Sequence, residues 1–195
     1  KSLDKNSYNL KIDLRKSFLN SLQKIPWKEI ELKSNQDPVF MIGFPRSGTT
    51  LLDSILRCHP NVEVIEEKPI VETLILEIDN LTAGNFSGLN NLNENDLKKL
   101  QNIYFETRNK YLDPEKSNKI IIDKLPLNII YVLEILRVFP NSKFIFSLRQ
   151  PFDCLLSCYF QNFKLNNPMS NFLKLDDAAN FYSSVMEIWV KSNKV

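Results

Sequence analysis

The eight residues Gly43-Phe44-Pro45-Arg46-Ser47-Gly48-Thr49-Thr50 constrain this chain more than any other stretch. They follow a short apolar run, Val39 to Ile42, that reads as a buried strand. They precede Leu51, Leu52, Ile55 and Leu56, whose spacing marks one helix face, and Pro60 ends that helix. A strand–turn–helix of this kind aims the backbone N–H groups of a helix N-terminus at an anion, and the helix dipole favours negative charge there. Gly48 lets the backbone come close, Thr49 and Thr50 add hydroxyl donors, and Arg46 can fork onto phosphate or sulfate oxygens. The spacing matches a nucleoside-triphosphate loop except that Thr49 stands where the lysine belongs. That lysine serves the β/γ-phosphates, and the hydroxyl after it serves Mg²⁺. The turn is therefore expected to hold a terminal anion that is not a Mg-bound triphosphate.

The rest of the chain keeps alternating. Val62 to Ile65, Lys119 to Asp123 and Lys143 to Leu148 read as strands. Residues 69–80, 96–112, 127–138, 152–163 and 176–191 read as helices, and Gly84 to Asn95 as a polar, Asn-rich loop. This order predicts an α/β fold: a P-loop-type parallel sheet flanked by helices on both faces, with ligands beyond the strand C-terminal ends. Residues 1–35 are polar, with Leu10, Leu14, Phe18, Leu22 and Ile25 at helical spacing. They are expected to form an N-terminal helix and linker ahead of one domain over 36–195. The total of 195 residues suits a single domain.

Further polar clusters follow the other strands. Glu66-Glu67 comes after the second, and two adjacent acids beside an anion loop are electrostatically odd unless one is useful. Lys124 ends the third, where it is expected to face the cleft. Arg149 follows the fourth, and Ser157, eight residues on, lies two turns into the next helix, so the pair can converge on one anion. The single histidine, His59, ends the helix after the loop and points away from the cradle, which makes it a structural residue.

Together these segments resemble the sulfotransferases that use 3′-phosphoadenosine 5′-phosphosulfate (PAPS), and most of all the tyrosylprotein branch with its bacterial relatives linked to tetratricopeptide repeats. FMIGFPRSGTTLLDSIL is similar to the family's 5′-phosphosulfate loop, which implies that Pro45, Arg46, Ser47, Gly48, Thr49 and Thr50 bind the donor. RQPFDCLLSCYFQNF is similar to its 3′-phosphate segment, which implies that role for Arg149 and Ser157, with Gln150 where the family often has Asp. The acid pair implies Glu67 as general base and Glu66 as local support. Asp123-Lys124-Leu125-Pro126 implies that Lys124 stabilises the leaving phosphate, released as 3′-phosphoadenosine 5′-phosphate. The family domain continues past a helix like 176–191, so the chain is expected to be C-terminally truncated. A start at Lys1 rather than Met fits a fragment cut at both ends.

Other features narrow the field. With a net charge of +2 and no Lys/Arg block, neither nucleic acid nor an anionic membrane is an expected partner. No apolar run reaches the length of a membrane span. Cys58, Cys154 and Cys158 fit no zinc spacing and no disulfide framework, so no metal and a reducing, cytoplasmic setting are expected. The abundance of Lys, Asn and Ile points to a bacterial source. The competing readings are a P-loop nucleotide kinase and a catalytically inactive nucleotide-binding fragment. Loops 81–95 and 164–175 are candidates for shaping the acceptor pocket, while the acceptor itself and the oligomeric state are not legible.

Overall fold

In the computed structural model, which describes residues 4–22 and 37–192, four strands carry apolar side chains on both faces. They are β1 (Val39–Gly43), β2 (Val62–Glu66), β3 (Ile120–Lys124) and β4 (Lys143–Ser147). Successive side chains point to opposite sides of a strand, so strands this apolar need cover on both. All pairs are parallel, in the order β2-β3-β1-β4, with Glu66 opposite Lys124 and Gly43 opposite Ser147.

Parallel neighbours require crossovers, and the helices provide them. Helix α1 (Lys5–Leu22) precedes the sheet and α2 (Thr49–Leu56) joins β1 to β2. Helices α3 (Ile70–Thr82) and α4 (Glu94–Asn109) lead to β3, and α5 (Val132–Val138) leads to β4. Helices α6 (Pro151–Phe160) and α7 (Leu175–Ser192) follow. The fold is therefore α/β, a parallel four-stranded sheet flanked by helices.

The two faces of the sheet are covered unequally. Phe40, Ile42, Ile65 and Ile121 join the main core with residues of α1 and α3 to α7. Met41, Val64 and Ile122 form a small second cluster, packed by Leu52 and Leu56 of α2. The expected α2 face is thus only half used: Leu51 is 68% and Ile55 60% exposed, because the sheet-facing line of this short helix runs through Thr49, Leu52, Asp53 and Leu56.

Helix α1 is rotated from the expected face. Ile12, Arg15, Leu19 and Leu22 are buried, while Leu10 and Leu14 are exposed. Arg15 pairs with the Glu134 carboxylate of α5, and its guanidinium lies 5.0 Å from the Phe86 ring centre and 4.8 Å from that of Tyr131. Burial pushes the Glu134 carboxyl up, opposed by Arg15. Along α7, Lys5 meets Asp177 and Lys16 meets Glu187, each at 2.8 Å. Ile25 and the expected linker fall in 23–36, outside the described residues.

Two further segments differ from expectation. The loop at 84–95 contains a 3-10 helix, Phe86–Asn91, pinned because Arg137 donates to the carbonyls of Leu89 and Leu92 at 2.9 Å each. The segment expected as one helix from 127 to 138 starts as a 3-10 turn, Pro126–Tyr131, before α5 begins. There Asn128 N–H donates to Leu125 C=O, the i to i−3 bond of the tighter helix.

Candidate active site

The loop after β1 is held from behind. Ser147 Oγ donates to the Ser47 carbonyl at 3.0 Å, Arg149 to the Arg46 carbonyl at 3.3 Å, and Cys158 Sγ contacts the Pro45 carbonyl at 3.4 Å. Three successive carbonyls are thus occupied by β4, the segment after it and α6. Arg46 and Gly48 both adopt left-handed backbone, with φ of 67° and 100°. Such alternation folds backbone N–H groups into an anion-binding concavity. Gly48 caps α2 without a side-chain bond, and the first N–H groups of a helix have no intrahelical acceptor. Gly43 is needed for closeness instead: a Cβ there would lie 2.7 Å from the Ser147 carbonyl oxygen.

Arg46 also reaches sideways. Its Nε donates to Ser157 Oγ at 3.0 Å, while Arg149 Nε lies 3.8 Å from Asp153 Oδ2. The side chain of Gln150 accepts from Asp153 N–H and caps α6, with Pro151 at its first position.

Lys124 occupies a different place from the one expected. It is 0% exposed and does not line the cleft, because strand alternation turns it with Ile122 toward the face that α2 covers. Its ammonium lies 2.5 Å from Glu66 Oε1, 3.7 Å from Glu67 Oε1 and 3.9 Å from Asp53 Oδ2. The bond from Lys124 holds the Glu66 carboxyl below its ordinary value. Asp53 in turn pairs with Arg57. The Glu67 backbone is pinned by its N–H donating to the Lys124 carbonyl at 2.7 Å, and its φ is 49°.

A cavity of about 970 Å³ gathers these elements. Pro45, Arg46, Gly48, Thr49, Thr50, Glu67 and Arg149 line it. Ser47 and Ser157 do not: Ser47 is buried beneath the loop without a side-chain partner, and Ser157 is held by Arg46. His59 is also outside, its Nδ1 accepting from Asn61 N–H at 3.2 Å.

The model of the sulfotransferase family matches residues 38–194. The chain belongs to the sulfotransferase family. An uncharacterized protein of Aquifex aeolicus (strain VF5) is 34% identical over 167 residues, which cover 79% of this chain and 21% of that protein. The chain therefore spans about a fifth of the length of that relative.

Part of the cavity lining went unassigned in the sequence. Tyr8 of α1, Glu72 of α3, Asn128, Tyr131 and the segment from Phe163 to Met169 also line it. The last of these meets the expected loop 164–175, whereas no residue of 81–95 reaches the lining. Phe163 ends the segment RQPFDCLLSCYFQNF already noted, Asn128 lies two residues past Asp123-Lys124-Leu125-Pro126, and nothing in the spacing marked either. Cys58, Cys154 and Cys158 are free thiols. Among the described residues, no group of three or more His, Cys, Asp or Glu side chains is placed to hold a metal ion, and no helix is long and apolar enough to cross a membrane.

Proposed function

We propose that this chain transfers a sulfuryl group from PAPS to an acceptor hydroxyl, and that within its family it sits nearest the tyrosylprotein and bacterial tetratricopeptide-linked branch. The observation that carries the reading is the loop. Its carbonyls are tied back, its helix start is uncapped, it lacks the P-loop lysine, and it shares one cavity with Glu67. In this reading residues 36–195 belong to the catalytic domain, working in the cytoplasm without a metal.

Pro45, Arg46, Gly48, Thr49 and Thr50 hold the 5′-phosphosulfate end, with Ser47 shaping the turn from beneath. Arg149 and Ser157 bind the 3′-phosphate, which distinguishes this donor from ATP. Glu67 takes the proton from the acceptor hydroxyl as its oxygen bonds to sulfur. The bond from sulfur to the 5′-phosphate oxygen breaks, and the electron pair leaves on 3′-phosphoadenosine 5′-phosphate. Lys124, buried behind the cavity wall against Glu66 and Glu67, adds its positive charge to the field in which that oxygen departs. Positioning and electrostatics do most of the catalysis, by analogy with phosphoryl transfer.

A thermal-shift titration with 3′-phosphoadenosine 5′-phosphate beside Mg-ADP tests the donor class. The 3′-phosphorylated nucleotide is expected to raise Tm by mass action and Mg-ADP to leave it unchanged. Glu67→Gln is expected to keep the shift and to lose transfer from labelled PAPS by at least ~100-fold. Stabilisation by Mg-ADP alone would replace this reading with a nucleotide kinase.

A further inference from the structure

Asn128 is 0% exposed, and neither its Nδ2 nor its Oδ1 has a hydrogen-bond partner. It lines the cavity that holds the loop and Glu67. Buried amides are almost always bonded, so an open donor and an open acceptor on one side chain in a cavity wall mark a place for a ligand group that is both. The residue is not loosely placed. The 3-10 turn begun by Pro126 fixes it, with its N–H bonded to Leu125 C=O at 2.9 Å.

Two phenols share this lining, Tyr131 from the same turn and Tyr8 from α1. Burial raises the pKa of both, Tyr131 to about 12, so both keep their hydroxyl protons at neutral pH. Tyr8 comes from outside the stretch 38–194 that the family model matches. The acids Glu67 and Glu72 lie on the same lining. Of the lining cations, Arg46 and Arg149 belong to the loop end, and Lys164 is exposed on the 163–169 segment.

We infer that Asn128, Tyr8 and Tyr131 form the acceptor subsite, and that it takes an uncharged polyol of the sugar type through a hydroxyl other than the one sulfated. This rests on the sulfuryl-transfer reading above. A hydroxyl donates and accepts at once, as the Asn128 amide does. A lone phenol gives its one hydroxyl to Glu67 and leaves the amide buried and unpaired, which a site built for a second polar group rejects strongly. Tyrosine side chains combine an apolar ring with a hydroxyl, which suits the mixed C–H and O–H surface of a sugar, although one face of the Tyr131 ring is taken by Arg15. Glu67 and Glu72 turn away acceptors that already carry a carboxylate or sulfate.

The test compares methyl β-D-glucoside, tyramine and a short tyrosine peptide as acceptors, with wild type, Asn128→Leu and Tyr8→Phe. Binding of the glucoside to protein saturated with 3′-phosphoadenosine 5′-phosphate is followed in parallel by saturation-transfer NMR. The glucoside is expected to show the highest kcat/KM. Asn128→Leu is expected to raise its KM at least tenfold, weaken its NMR signal and leave KM for PAPS unchanged, and Tyr8→Phe to act more weakly in the same direction. Because Asn128→Leu also removes an unpaired buried amide, its Tm should rise. Preference for tyramine or the peptide would overturn the inference, as would an unchanged glucoside KM accompanied by a lowered Tm. In those cases the nucleotide still binds; absence of nucleotide binding overturns the sulfuryl-transfer reading and the inference with it.

Discussion

Arg46 Nε donates to Ser157 Oγ at 3.0 Å, although 111 positions separate the two residues. The sequence assigned them to opposite ends of a nucleotide, one in the loop and one on the helix after β4. The structure joins them, and Arg149 closes the group by donating to the Arg46 carbonyl. Hydrogen bonds to charged groups contribute roughly 1.5–3 kcal/mol. Arg46→Ala is therefore expected to weaken binding of 3′-phosphoadenosine 5′-phosphate roughly ten- to a hundredfold. Arg46→Lys should recover less than half of that free energy, because it keeps the charge but loses the Nε bond and the fork. Titration calorimetry decides; an unchanged Kd in the alanine variant removes Arg46 from the nucleotide site.

The two loop glycines should fail for different reasons. Gly48→Ala meets open space, with its nearest neighbour at 3.9 Å, but must hold φ of 100°. It is expected to cost about 1–2 kcal/mol. Gly43→Ala has an ordinary backbone but meets the Ser147 carbonyl, so β1 and β4 must separate. Urea unfolding should show the larger loss for Gly43→Ala, and equal losses would mean that the contact relaxes freely.

Arg15 and Glu134 are both almost fully buried, so breaking the pair strands one charge. Arg15→Ala is expected to destabilise by ~3–5 kcal/mol. Arg15→Met combined with Glu134→Leu should recover most of that loss, since neither charge remains. A double variant as unstable as the single one would locate the effect in packing against Phe86 and Tyr131 instead.

Asp123 predicts a slope of stability with pH. Burial raises its carboxyl from the ordinary 3.8 to about 7, against the opposing bond from Tyr104 Oη at 3.3 Å and the charge of Arg108. Between those values the folded state keeps the proton and the unfolded state releases it. This group's contribution is therefore fully present below about 4 and is lost as pH rises to about 7, at up to ~1.4 kcal/mol per pH unit. Asp123→Asn should flatten that slope and be the more stable protein at pH 8. Denaturant midpoints across pH 4–8 that fall in parallel for both proteins would rule out Asp123 as the source.

What could be read in the sequence was what chain-local chemistry determines. The loop from Gly43 to Thr50 is an unbroken run, so its turn, its donors and its place after a strand followed from spacing alone. The place of Glu67 on the cavity lining was legible for the same reason, one residue past a strand end. Lys124 was found but misplaced: it shares its parity with Ile122, and which face α2 would cover depends on packing that no local pattern encodes. In α1 the buried stripe passes through Arg15, so counting apolar residues selected Leu10 and Leu14, which are exposed. Asn128 and Tyr131 lie in a 3-10 turn, which has neither the period of a helix nor that of a strand. Tyr8 reaches the cavity only because α1 lies across α7, a contact between the two ends of the chain.

That contact joins segments far apart in the sequence. Asp4 N–H donates to Asn167 across 163 positions, and Lys5 to Asp177 across 172. Helix α1 packs on α5 through Arg15 and Glu134, but its seat is incomplete until α7 is in place, and contacts that close so long a loop are slow to form. Strands and crossovers can be complete while the cavity still lacks the wall that carries Tyr8. The wall that encloses a small molecule thus depends on a long-range docking contact made far from any residue of the loop.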